Sequence, residues 1–67
     1  MNYRIDFIDT DSNLIGSLPT AREDLKELIR LNSFEKIKVD GKLVELVEVC
    51  LNFDTVEKTV IVQAFVR

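Results

Sequence analysis

Between residues 43 and 66 the chain has two apolar-rich runs flanking a short polar turn. The first reads Leu43-Val-Glu-Leu-Val-Glu-Val-Cys-Leu-Asn-Phe53, and the second Thr59-Val-Ile-Val-Gln-Ala-Phe-Val66. Branched and aromatic side chains suit a pleated, half-buried surface, so both runs read as strands. Their closeness in sequence predicts an antiparallel hairpin. The second run puts Val60, Val62, Ala64 and Val66 on one wholly apolar face, with Ile61 and Phe65 opposite.

The first run contains a conflict of phase. Val44 and Leu46 place the core face at even positions, whereas Val47, Val49, Leu51 and Phe53 place it at odd ones. A period-two strand changes face only by gaining a residue, which predicts a β-bulge near Val47. Ahead of this run, Phe34 to Val39 reads as a shorter strand, with Ile37 and Val39 on one side and Lys36 and Lys38 on the other. Asp40-Gly41 then matches a two-residue type I′ turn, whose central residues both need positive φ. That loop pairs Val39 with Lys42 and Ile37 with Val44.

Toward the amino terminus, Tyr3, Ile5 and Phe7 alternate with Arg4 and Asp6, again at strand period. Asp9-Thr-Asp-Ser-Asn13 is a turn cluster, and Leu14 to Leu18 reads as a return strand with Gly16 marking a bulge or close backbone approach. Oxygen-bearing residues at 9, 11 and 13 resemble the start of a calcium loop. Leu14 and Thr20 stand where such a loop needs Gly and Glu, which favours a plain polar turn. Thr20-Ala-Arg-Glu23 matches a capping box, and Ala21, Leu25, Leu28 and Ile29 form an apolar stripe at helical spacing. The expected fold is therefore α+β: a mainly antiparallel β-sheet with one α-helix packed on a face, in the order β-β-α-β-β-β, as one domain over residues 1–67.

Sixty-seven residues lie near the lower size for a self-sufficient core, and the usual reinforcements are restricted here. Cys50 is the only cysteine and there is no histidine, which rules out an internal disulfide and an ordinary structural zinc site. One helix covers only part of such a sheet, so the second apolar row needs another cover. That predicts a homodimer with Leu43, Val47, Ile61 and Phe65 at the oligomer interface.

The chain offers little chemistry. It lacks a nucleophile–base pair and a glycine-rich phosphate loop, so the reading is non-enzymatic, with no cofactor or metal. Cys50, inside a strand, reads as a small buried hydrophobe. The expected role is a protein–protein interaction or regulatory module, self-associating through sheet surface or edge. Two alternatives stay open. One is a nucleic-acid-associated factor using a basic patch of Arg22, Lys26, Arg30, Lys36 and Lys38, disfavoured by the net charge of −3. The other is a small-ligand-binding domain. No apolar run reaches the roughly 20 residues of a membrane span, and the expected location is the cytoplasm.

Overall fold

A computed structural model of the chain describes residues 2–30 and 35–67, without the side chains of Leu25, Leu28 and Ile29. The elements are β1 (Asn2–Ile8), β2 (Leu14–Thr20), α1 (Arg22–Ile29), β3 (Lys36–Val39), β4 (Lys42–Asp54) and β5 (Thr59–Val66). One five-stranded sheet runs β2-β1-β5-β4-β3. β1 pairs with β5 in parallel, and the other pairings are antiparallel.

This corrects the expected α+β class. The protein is nearly all strand, its sheet is mixed, and it curls until the edge strands β2 and β3 approach one another. At Gly16 of β2, an added Cβ would stand 3.3 Å from Val39 Cγ1 and 3.6 Å from Phe7 Cδ2, so only glycine fits this near-closure without displacement. The curl explains why no helical layer is required. Val60, Val62, Ala64 and Val66 are all buried; Val62 packs with Ile5 and Tyr3, Ala64 and Val66 pack with Leu46, Ile37 and Val44, and Phe7 and Val49 contact both groups. The helix is only eight residues long, too short to be stable by itself, and among the described residues it makes no extensive contact with a strand. Of the apolar helix stripe, Ala21 is exposed and precedes α1, while the side chains of Leu25, Leu28 and Ile29 and the expected strand start at Phe34 lie outside what is described.

Several local expectations are met. Asp40 and Gly41 have φ of 52° and 80°, and the register pairs Val39 with Lys42 and Ile37 with Val44. The β4–β5 hairpin shifts register between Leu46 and Glu48, which lets Leu46 and Val49 both face the core. In the first turn, Asp9 Oδ1 accepts the backbone N–H groups of Asp11 and Asn13, both at 2.9 Å. That carboxylate organises a polar turn.

The capping box is not formed. Thr20 remains in β2 opposite Tyr3, and its hydroxyl lies 3.5 Å from the Ala21 carbonyl, the outer limit of a hydrogen bond. Strand pairing has taken the residue that the local signal assigned to the helix. Thr20→Ala is therefore expected to change stability by less than about 0.5 kcal/mol, instead of the roughly 1 kcal/mol of a lost cap. Urea denaturation checks this, and a loss of a full 1 kcal/mol would restore the cap.

Candidate functional site

The direction in which β4 turns its backbone groups defines the site. At one end of β5, the Asn2 N–H donates to the Lys58 carbonyl at 3.2 Å, so Lys58 faces β1. By alternation Val60, Val62, Ala64 and Val66 face β1 as well. At the other end, Arg67 and Glu45 exchange both backbone hydrogen bonds at 2.9 Å, which turns Arg67 toward β4. Both ends thus assign Thr59, Ile61, Gln63 and Phe65 to β4, where their partners are Asp54, Asn52, Cys50 and Glu48. The N–H and C=O groups of Val49, Leu51 and Phe53 point the other way. β3 pairs only with residues 42–45, and the Leu46 N–H reaches the Glu35 carbonyl at 2.8 Å. Beyond that point no strand among the described residues borders β4.

The side chains along this edge match its backbone. Val49, Leu51 and Phe53 lie opposite Ala64, Val62 and Val60, and so share the core face. Val49 packs into the core, whereas Leu51 is 48% and Phe53 65% exposed. A groove of about 380 Å³ runs beside Phe53, lined by Asp54, Thr55, Lys58, Thr59 and Val60. On the other face Cys50 is exposed, correcting its reading as a buried hydrophobe: the bulge puts even positions from 48 onward on the face away from Val62. Residues 49–53 carry no charge and are bounded by Glu48 and Asp54. Asp54 Oδ1 also organises the β4–β5 turn, accepting the N–H groups of Val56 at 3.2 Å and Glu57 at 3.1 Å.

The residues singled out from sequence are scattered by comparison. Leu43 is 60% exposed beside β3, Val47 is half-buried at the bulge, and Phe65 is half-buried between Ile8 and Glu48. Ile61 is only 6% exposed, so the monomer already covers it. Arg22, Lys26 and Arg30 are exposed on or just after α1, and Lys36 and Lys38 are exposed on β3. Arg30 lies 3.9 Å from Glu27, and among the described residues α1 and β3 make no extensive contact that would join the two basic groups. Sequence reasoning missed the edge at Val49, Leu51 and Phe53. Its signal was the mismatch between a long fourth strand and a short third one, together with an uncharged run framed by acids.

Comparison with protein-family models, with curated proteins and with solved structures finds no match to this chain. Among the described residues no group of three or more His, Cys, Asp or Glu is placed to hold a metal ion, and no helix is long and apolar enough to cross a membrane.

Proposed function

We propose that the protein is an interaction module that takes up an extended polypeptide segment by strand addition along the edge of β4. The observation that carries this reading is the outward backbone of Val49, Leu51 and Phe53, flanked by exposed Leu51 and Phe53 side chains. Unpaired backbone groups on an apolar edge are a template for another strand: main-chain hydrogen bonds supply affinity and alternate side chains supply specificity. A second copy of the chain is one such segment, and self-association would use this edge. A nucleic-acid role has less support, because the basic residues are separated and Arg30 lies beside an acid. The groove at Phe53, lined by the β4–β5 turn and the start of β5, is the cavity that bears on a small-ligand role. A lone, exposed Cys50 suits a reducing compartment such as the cytoplasm.

Leu51→Pro tests the reading. Proline there removes an outward N–H and leaves the bonds to β5 in place, a position where strands accept proline. Binding of a labelled heptapeptide with valine and serine alternating should be lost in the variant while the circular dichroism stays that of a folded sheet. Leu51→Lys, which keeps every backbone group, serves as the second variant. Peptide binding that survives both substitutions would overturn the proposal.

A further inference from the structure

Resting on strand addition at β4, we infer that the segment received there carries basic residues at both ends of an alternating apolar core. Glu48 bounds one end of the uncharged edge and Asp54 the other, with Glu57 in the adjoining turn; Lys58 lies on the β5 side of that turn. Opposite charges facing one another across strands favour pairing and like charges oppose it. Because acids stand at both ends, a segment with lysine or arginine on each side fits in either direction. Its apolar side chains, placed two apart, would cover Leu51 and Phe53.

The same acids disfavour the most obvious competitor, a second copy. Antiparallel two-fold pairing that engages all three outward residues sets Leu51 opposite Leu51 and Val49 opposite Phe53. It then sets Glu48 opposite Asp54 twice, like charge against like. Shifting the register by two residues in one direction puts Phe53 against the bulge at Val47, and in the other it carries Val49 past the end of the strand. Either shift forfeits outward hydrogen bonds. Natural sheets place charges on their edges to discourage such self-pairing. Here those charges also set a preference, since specificity is gained as much by opposing the wrong partner as by attracting the right one.

Three labelled heptapeptides test the inference by fluorescence anisotropy: Lys-Val-Ser-Val-Ser-Val-Lys and its counterparts with glutamine or glutamate at both ends. The lysine-ended peptide should bind about tenfold more tightly than the glutamine-ended one, from two cross-strand pairs, and the glutamate-ended one most weakly. The spread should collapse in roughly 1 M salt, where charges are screened within about 3 Å. Glu48→Lys should reduce the preference for lysine ends. Equal binding of all three peptides would leave strand addition standing and overturn the charge frame. Binding of none would remove strand addition itself, and this inference with it. Light scattering that shows a concentration-dependent dimer, abolished by Leu51→Pro, would identify the occupant as a second copy and overturn the inference.

Discussion

Leu46→Ala is expected to lower the free energy of unfolding by about 2–5 kcal/mol. Leu46 is 1% exposed and sits where the entry to β3, the bulge of β4 and the end of β5 converge. It clusters with Ala64 and Val66, against Ile37, Val44, Phe7 and Val49. Truncation loses the transfer free energy of three carbons and leaves a cavity that β-strands, fixed on both sides by hydrogen bonds, collapse into poorly. Phe53→Ala is the control. That ring is larger but 65% exposed, so its loss should cost less than about 1 kcal/mol in stability. Urea denaturation of both variants checks the ranking, and a Leu46 variant within 1 kcal/mol of the parent would show that the core is centred elsewhere.

The second large effect is expected at Asp6, the one buried charged residue among those described. Its carboxylate accepts from Arg4 Nε at 3.0 Å and Arg4 Nη2 at 3.2 Å, and from the Ser17 hydroxyl at 2.6 Å. The two Arg4 bonds run along β1, and the Ser17 bond ties β1 to the edge strand β2 on the face away from Val62. Asp6→Ala should cost about 1–3 kcal/mol, the range for charge-assisted hydrogen bonds lost from a buried site. The Arg4 side chain is 44% exposed and regains water, which keeps the figure below that of a fully buried pair. Combining it with Ser17→Ala isolates the shared bond: the double variant should lose less than the sum of the single ones. Strict additivity would mean that the short contact contributes nothing.

What could be read from the sequence was local. The Asp40-Gly41 turn followed from the φ values those two residues tolerate, and the bulge from a change of phase that a strand cannot otherwise make. The apolar row of β5 was likewise visible in its alternation. The parallel pairing of Tyr3, Ile5 and Phe7 with Val60, Val62 and Ala64 was not. Alternation shows which residues turn inward, and nothing in it says which strand lies alongside. The helix was overvalued for the opposite reason: a capping motif is a strong local signal, yet Thr20 was drawn into pairing with Tyr3. Expecting a helical layer, the sequence reading also expected a second apolar face to need cover. A sheet that curls on itself removes most of that demand; among the described residues the large apolar side chains still exposed are Leu51 and Phe53 on the β4 edge, with Leu14, Ile15, Leu18, Leu43 and Val56 elsewhere.

The place of β5 between β1 and β4 has a consequence for how the chain comes to be folded. Both core clusters draw on residues of this strand, and it follows the other four in the chain. During synthesis the first two strands can close only a hairpin, and β3 with the start of β4 only another; a two-stranded hairpin alone is marginal in water. Neither can bury its apolar face until the final strand inserts between them. The protein therefore has no stable half-way product, and its far-separated first and last strands should place it among the slower-folding small domains.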